Sequence, residues 1–228
     1  MKTNKDNLVV LYEDNHIIII NKRPGDIVQG DKTGDPPLSE IVKQYISEKY
    51  QKKGNVFLGV VHRLDRPTSG IVIFARTSKS LERLNKMLRD KQIKKNYWAI
   101  VKNKPAKVND TLIHYLKKNP KNNKSTVFSR ESEGCKKAVL HYKLIKELDN
   151  YYLLEIDLET GRHHQIRAQL SAINCAIKGD LKYGFNRSNP DGGISLHARE
   201  IQFIHPVSKE KIDITAQTPE SPIWNSCE

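Results

Sequence analysis

Residues 60–75 read VVHRLDRPTSGIVIFA and place a charged patch, residues 62–66, between two apolar runs. Short runs of Val and Ile bounded by Gly and Pro predict buried strands, so the patch is expected on a loop held between two strands. Asp65 lies in this patch with Arg63 and Arg66 close in sequence, and neighbouring cations favour the charged form of a carboxylate. A rigidly held, charged carboxylate can attack carbon as a nucleophile, although a surface ion pair or a turn cap gives the same local pattern.

The charge of the chain indicates a polyanionic partner. Its 228 residues include 39 Lys and Arg against 26 Asp and Glu, which gives a net charge of +13 and a pI near 9.5. Such an excess gives sequence-independent affinity for the phosphates of nucleic acids, although proteins without nucleic-acid partners can also be basic. A nucleic acid is therefore the favoured partner from charge alone.

The cysteines and the apolar runs indicate a cytoplasmic protein. Cys135, Cys175 and Cys227 are odd in number and form no CxxC pair, so the sequence suggests neither a disulfide framework nor a structural zinc site. The dense apolar run at residues 17–20 is far too short for a signal-peptide core or a membrane span. We therefore expect a soluble, unprocessed chain in a reducing compartment.

Alternation and helical periodicity predict a mixed succession of strands and helices. The predicted hairpins pair residues 7–12 with 16–21, 138–146 with 151–159, and 201–205 with 211–215. A further strand is predicted at 97–101, and helices at 38–50, 78–90 and 162–174, the second of them capped by Thr77 or Ser78. Residues 31–37 are predicted to be a loop, and the tail after residue 216 is predicted to be irregular. No repeat and no Gly-, Ser- or Pro-rich linker divides the chain, so a single α+β domain over residues 1–228 is predicted.

Two segments are rich in charged or polar residues and are candidates for a functional site. Residues 102–137 contain ten Lys or Arg and three acids, or +7, and are predicted to be extended loops or a mobile arm, as a solvated insertion or an RNA contact. In the helix predicted at 162–174, the polar residues His163, Arg167 and Ser171 form a stripe beside an apolar one. One side of this helix is therefore expected to pack and the other to face a site.

Several segments in order resemble one enzyme family. HRLDRPTSG is similar to the signature HRLDxxTSG of the RluA family of RNA pseudouridine synthases. Further similar segments are LYEDNHIIIINK (11–22), KKNYWAIV (94–101), TGRHHQIRAQL (160–170), IKGDLKYG (177–184) and SLHAREIQFIHP (195–206). Together they span almost the whole chain.

The resemblance implies a fold and a reaction. The implied fold is a long, bent, mixed β-sheet flanked by helices and loops around a basic cleft, in a single catalytic domain. Many relatives carry a small RNA-binding domain ahead of the first hairpin, but only about six residues precede it here, so no separate N-terminal RNA-binding domain is expected. The implied enzyme is an isomerase that converts specific uridines of ribosomal or transfer RNA into pseudouridine. The reaction exchanges an N1–C1′ bond for a C5–C1′ bond without redox or group transfer, so no cofactor and no metal are expected. RNA is the expected partner, and the chain is expected to be a monomer.

The resemblance also assigns roles to residues. Asp65 would be the nucleophile, Arg167 would pair with it and hold it charged, and Tyr97 would stack on the displaced base and assist loss of the C5 proton. Because the target base must be flipped out of a folded RNA, nearby polar side chains are expected to bind the flanking strand. The candidates for this role are His62, Arg63, Arg66, Lys95, Arg162 and His164.

Two other functions fit parts of the sequence. A catalytically inactive RNA-binding or ribosome-assembly module would keep the basic surface, but it would not need Asp65, Tyr97 and Arg167 together. A hydrolase acting at C1′ would need a second carboxylate to activate water, and the similar segments offer only Asp180, which fits a turn equally well. Arg23, His163 and Gln169 depart from the common family residues, which could change the RNA that is accepted.

Overall fold

A computed structural model describes residues 2–31 and 34–228 of the chain. Within these residues the chain forms eleven strands, four α-helices and one 3₁₀ turn, so the predicted α+β class is confirmed. The loop predicted at 31–37 includes Lys32 and Thr33, which lie outside the described residues. None of the described helices is long and apolar enough to cross a membrane.

The chain divides into two compact units. The first consists of residues 1–94 and 198–219, and the second of residues 95–197 and 220–228. Strand β10 (Leu196–Ile204) contributes residues to both units. The prediction of a single domain over residues 1–228 stays a prediction, and each unit is described by itself.

The first unit is built on antiparallel strands. Besides part of β10, its strands are β1 (Val10–Glu13), β2 (Ile17–Lys22), β3 (Gly59–Val60), β4 (Ser69–Ala75) and β11 (Lys211–Thr215). β2 pairs with β1 on one side and with β4 on the other, β3 pairs with β4, and β11 pairs with β10. The predicted hairpins at both ends of this unit are therefore confirmed.

Two helices accompany the strands of the first unit. α1 (Leu38–Lys49) packs its apolar stripe, including Leu38 and Val42, against alternate residues of β2 and β4 in a buried core. α2 (Ser78–Arg89) begins where the Thr77 side chain accepts a hydrogen bond from the Ser80 N–H, because a hydroxyl at this position satisfies an otherwise unpaired donor. Both helices were predicted.

The second unit is a meander of long strands. Its strands are β5 (Lys94–Val101), β6 (Asn109–Asn119), β7 (Lys124–Phe128), β8 (Lys136–Glu147) and β9 (Tyr152–Leu158), in the spatial order β5-β9-β8-β6-β7. Each adjacent pair is antiparallel. α3 (Gln165–Ala172) and the 3₁₀ turn (Leu181–Tyr183) follow β9, and a buried cluster of Leu116, Ala138, Ala168 and Tyr183 joins them to the strands.

Three predictions for the second unit were wrong in part. Residues 102–137 are largely the ordered hairpin β6–β7, not extended loops or a mobile arm, because β6 pairs along its length with β8. α3 begins only at Gln165 and is buried on nearly all sides, so His163 lies outside it and the expected open face is absent from the described helix. The tail after residue 216, predicted to be irregular, contains the short helix α4 (Pro222–Asn225).

Candidate active site

Asp65 lies on the loop between β3 and β4, as the sequence predicts. The Thr68 N–H donates to the Asp65 carbonyl at 3.0 Å, which closes a turn directly after the carboxylate. Gly70 then returns the chain to the sheet with φ +108°, and a Cβ at this position would collide with the backbone of Ala198. Only glycine combines this conformation with so close an approach, which explains the Gly of HRLDRPTSG.

The buried amine of Lys22 binds the backbone of the Asp65 loop. Lys22, at the end of β2, is 1% exposed, and its Nζ donates to the carbonyls of Arg23 at 2.9 Å and Arg66 at 3.0 Å. The Gly25 N–H also donates to the Arg66 carbonyl, at 2.9 Å. Burial lowers the pKa of Lys22 to about 7, partly opposed by attraction to Asp26 and Asp65. The loop that carries Asp65 is thus fixed through its backbone.

The other predicted residues of this loop have contacts that shape it. His62 accepts the Ile73 N–H on Nε2 at 3.2 Å, which joins the loop to β4. The Arg66 guanidinium contacts the Asp35 carboxylate at 2.6 Å on the surface. Arg63 is exposed. Contact of these three side chains with RNA stays a prediction.

Arg167 forms a buried, bidentate ion pair with Asp180. Its Nε lies 2.7 Å from Asp180 Oδ2 and one terminal nitrogen lies 2.9 Å from Oδ1, while the two side chains are 5% and 1% exposed. The fork geometry satisfies both carboxylate oxygens, which is the strongest form of such a pair. Asp180 therefore positions the Arg167 guanidinium in this unit, and pairing of Arg167 with Asp65 stays a prediction.

The backbone of Asp180 also builds the turn that follows. The Asp180 N–H donates to Ile177 at 3.0 Å, and the Asp180 carbonyl accepts the N–H groups of Tyr183 at 3.1 Å and Phe185 at 3.0 Å. The turn prediction for Asp180 is thus correct, but its side chain does not cap the turn. A carboxylate held on both oxygens by an arginine is poorly placed to activate water, which weighs against the hydrolase alternative.

Tyr183 joins the start of α3 to the basic hairpin. The Arg167 guanidinium lies 5.1 Å from the Tyr183 ring centroid, and His164 Nδ1 lies 3.0 Å from its hydroxyl. His164 is 9% exposed, has a left-handed φ of 54° and stacks on His163 with 3.8 Å between ring centroids. His164 therefore contacts Tyr183 and His163, and its predicted contact with RNA stays a prediction.

The hairpin β6–β7 packs against Tyr183 and His163. The Ser125 N–H donates to the Tyr183 hydroxyl at 2.8 Å, and the Ser125 hydroxyl donates to the His163 carbonyl at 2.7 Å. Lys124 Nζ lies 5.0 Å from the Tyr183 ring centroid on the same strand. From the other side, Lys182 Nζ donates to the carbonyl of Asn123 at 3.2 Å in the hairpin turn. The basic segment therefore belongs to the surroundings of Arg167.

The remaining predicted residues lie on β5 and before α3. Tyr97 is 6% exposed in the middle of β5, opposite Ile156 of β9. Burial lowers the pKa of Lys95 on the same strand. Arg162 donates through Nε to the Lys137 carbonyl at 2.9 Å, and its backbone N–H donates to Gln165 at 2.9 Å. The predicted roles of all three in RNA binding or catalysis stay predictions.

The sequence did not indicate Lys22, and it indicated Asp180 only as a second carboxylate or a turn residue, not as the partner of Arg167. Lys22 stands in the segment LYEDNHIIIINK, where a lysine shortly after the apolar run 17–20 could have indicated a buried amine. Asp180 stands in the segment IKGDLKYG, where an acid between two similar segments rich in cations could have indicated a partner for Arg167. Neither signal names the contact, because both depend on the tertiary fold.

Comparison with known protein families assigns the chain to a class of RNA-modifying enzyme. A family model described as RNA pseudouridylate synthase matches residues 16–172, and the chain belongs to this family. The predicted RluA-type family, its enzyme class and its isomerase chemistry on uridine in RNA are therefore confirmed.

Named relatives and solved structures agree with this assignment. The chain is 31% identical to "Ribosomal large subunit pseudouridine synthase D" of Zymomonas mobilis, over 93% of this chain and 70% of the relative. It is 33% identical to an uncharacterised RNA pseudouridine synthase of Synechocystis, over 93% of this chain and 66% of the relative, so it spans slightly less than two thirds of that protein.

The structure of human RNA pseudouridylate synthase domain containing 4 superposes with a TM-score of 0.77 at 22% identity, over 92% of this chain and 88% of the other, which shows the shared fold.

Proposed function

We propose that this chain isomerises uridine to pseudouridine in large-subunit ribosomal RNA, with Asp65 as the nucleophile. The observation that supports this most is the placement of Asp65, which lies on a loop held at both ends by strands and from below by Lys22. Such a frame holds the backbone of a reactive group in a fixed position, as catalysis requires. The RNA class rests on relatives that are named ribosomal large subunit pseudouridine synthases C and D.

The chemistry needs few groups from the protein. Asp65 attacks the nucleotide and forms a transient covalent bond with it, the N1–C1′ bond breaks, and the base turns while bound. C5 then joins C1′, and the bond to Asp65 breaks before the product leaves. The proton lost from C5 is balanced by one gained at N1, so substrate and product have the same composition. Arg167, which Asp180 holds in orientation, is proposed to stabilise the negative charge of Asp65. Tyr97 is proposed to stack on the base and to assist removal of the C5 proton.

The test replaces the carboxylate alone. Asp65→Asn is expected to abolish release of tritium from a large-subunit ribosomal RNA transcript made with 5-tritiated uridine, because the amide keeps the shape and loses the nucleophilic charge. Asp149→Asn, the same change in the exposed turn between β8 and β9, serves as the control and should keep wild-type activity. Substantial tritium release by pure Asp65→Asn would refute the proposed nucleophile. Binding without product from the wild type would favour the inactive RNA-binding module.

Tyr97 has two proposed tasks that two substitutions separate. Tyr97→Phe keeps the ring and loses the hydroxyl, so turnover should fall severely while RNA affinity stays close to wild type. Tyr97→Leu loses the aromatic face, so turnover and affinity should both fall, the latter by about 1–3 kcal/mol. Tritium release and a binding titration measure the two effects. Wild-type release by Tyr97→Phe would exclude the hydroxyl from the chemistry.

We also infer that the chain acts as a monomer in the cytoplasm and needs no small-molecule cofactor. The isomerisation conserves all atoms and electrons, which supports activity without a co-substrate. Sedimentation of the chain with and without RNA tests the monomeric state, and activity of dialysed protein in the presence of a chelator tests the independence from a cofactor.

Transfer RNA is a second candidate substrate. Mapping pseudouridine in total RNA with and without the gene tests it.

A further inference from the structure

A cavity of about 400 Å³ lies in the second unit, apart from the residues assigned above. Its walls come from the end of β5, the turn before β9 and the segment that follows the 3₁₀ turn. This volume lies within the range of pockets that hold small ligands. The side chains that line it fall into three chemical groups, aromatic, cationic and amide, and each group matches one part of a nucleotide.

The aromatic group offers two flat faces. Tyr151 and Phe185 line the cavity, and both side chains are half-buried. Tyr151 is held because its carbonyl accepts the Leu148 N–H at 2.9 Å and its ring packs at the edge of a core cluster that includes Trp224. The backbone of Phe185 is fixed by its N–H bond to the Asp180 carbonyl at 3.0 Å. Rigid, partly exposed aromatic rings are the usual platforms on which unpaired bases stack.

The cationic group offers a place for phosphate. Lys102 and Arg187 line the cavity and are exposed, and Lys102 Nζ lies 5.2 Å from the Tyr151 ring centroid. Among the described residues that line the cavity, none carries a carboxylate. The charge of its lining is therefore wholly positive, which complements an anionic ligand and disfavours a cationic one.

The amide group offers donors and acceptors for the edge of a base. Asn103, Asn174 and Asn186 line the cavity. The Asn103 amide donates to the Asn174 carbonyl at 2.8 Å, which orients it at the wall. Asparagine amides pair with base edges because they carry a donor and an acceptor side by side.

We propose that this cavity binds one unpaired nucleotide of the substrate RNA, outside the target uridine. The base stacks on the aromatic faces, the amides contact its edge, and Lys102 and Arg187 hold its phosphate. The proposal rests on the proposed function, since it assigns a second contact to the same RNA. The Phe185 wall starts from the Asp180 turn, so a nucleotide bound here contacts the element that orients Arg167. Binding of a nucleotide in the cavity therefore strengthens binding of the RNA more than it speeds the chemical step.

The experiment combines kinetics with covalent mapping. The variant is Phe185→Leu with Arg187→Gln, which removes one stacking face and one phosphate contact. Its matched control is Phe57→Leu with Arg89→Gln, the same changes at exposed positions of the first unit. The probe is an unmodified large-subunit ribosomal RNA transcript. The KM of the cavity variant should rise about tenfold or more, with a much smaller fall in kcat, while the control should match the wild type.

Mapping uses the same transcript with 4-thiouridine in place of uridine. After irradiation, cross-linked nucleotides are expected on peptides that contain Tyr151 or Phe185. Absence of these cross-links, together with an unchanged KM, would overturn the proposal. The Asp65→Asn variant is mapped in parallel because it separates the two claims. If the wild type forms no pseudouridine but Asp65→Asn still cross-links at this cavity, the proposed function fails and the nucleotide site stands.

Discussion

Lys22 in the first unit and Arg167 in the second are both buried cations, but the protein satisfies them in opposite ways. Lys22 donates to two backbone carbonyls, which are dipoles, and burial lowers its pKa to about 7. Arg167 faces a full negative charge in a bidentate pair with Asp180. The first unit therefore fixes a loop with an amine that can lose its proton, and the second fixes a guanidinium whose charge is permanent.

The largest effect is expected from breaking the pair in the second unit. Arg167→Leu leaves the Asp180 carboxylate buried without its arginine, which should lower the free energy of unfolding by about 3–5 kcal/mol. Chemical denaturation measures it. Lys211→Met, which breaks an exposed pair with Asp213, is the control and should change stability by about 1 kcal/mol or less.

A second variant tests whether the stranded charge causes this loss. Arg167→Met combined with Asp180→Leu removes both charges, so it should be more stable than Arg167→Leu alone. Stability of Arg167→Leu within the range of the surface control would show that the pair is not the support that its geometry indicates.

A smaller effect, which depends on pH, is expected from Lys22. Lys22→Met removes two hydrogen bonds to buried carbonyls and should cost about 1–3 kcal/mol above pH 10.5, where the wild-type amine is largely neutral in the folded and the unfolded chain. The folded pKa of about 7 lies below the ordinary value of 10.5, so between these values the unfolded chain binds more protons. The stability of the wild type relative to Lys22→Met should therefore rise from pH 7 to pH 10.5 and be flat below pH 7.

Parallel melting of the two proteins across this range measures the difference. Arg167→Leu serves as the comparison, because the arginine keeps its charge throughout and its stability difference should not follow this curve. A wild-type advantage that falls as pH rises would contradict the burial of a titrating Lys22.

The sequence predicted the first unit better than the second, for physical reasons. The hairpin β1–β2, the helix α1 and the Thr77 cap follow from local rules, in which apolar alternation, a helical stripe and a hydroxyl each act within a few residues. The loop of Asp65 was predicted because both flanking strands are apolar on both faces. Lys22 was missed because one of its two partners, the Arg66 carbonyl, lies 44 residues along the chain.

In the second unit, long-range pairing decided what the local pattern could not. β6 has only Leu112 and Leu116 as buried residues, so its charge suggested a mobile arm, and its order comes from pairing with β8. α3 was expected to keep an open polar side, but Gln169 on that helix is wholly buried and donates to the carbonyls of Leu112 and Ala138. A polar residue that satisfies strand carbonyls is invisible to periodicity.

The smallest effect, per side chain, is expected from the hairpin that docks beside Arg167. Lys117, Lys118 and Lys121 are exposed on β6 and the turn that follows it, whereas Lys124 lies over Tyr183. Because exposed lysines contribute to RNA affinity through phosphate contacts, changing these three to Gln should weaken binding to all RNAs alike. Removal of one lysine–phosphate pairing should reduce the slope of log affinity against log salt by about 0.7–0.9. The melting temperature should stay near that of the wild type, in contrast to Arg167→Leu.

The control changes Lys52, Lys53 and Lys79 to Gln, three exposed lysines of the first unit, so that the net charge falls equally. Binding titrations at several salt concentrations compare the two triple variants. If only the hairpin variant lowers the slope, the phosphate contacts lie on the β6–β7 hairpin of the second unit, which also holds the buried Arg167. The exposed lysines of the first unit then bind no phosphate, and that unit contributes the reactive loop of Asp65. Equal slopes in both variants would mean that net charge alone attracts the RNA, and the docked hairpin would then serve only to frame Arg167.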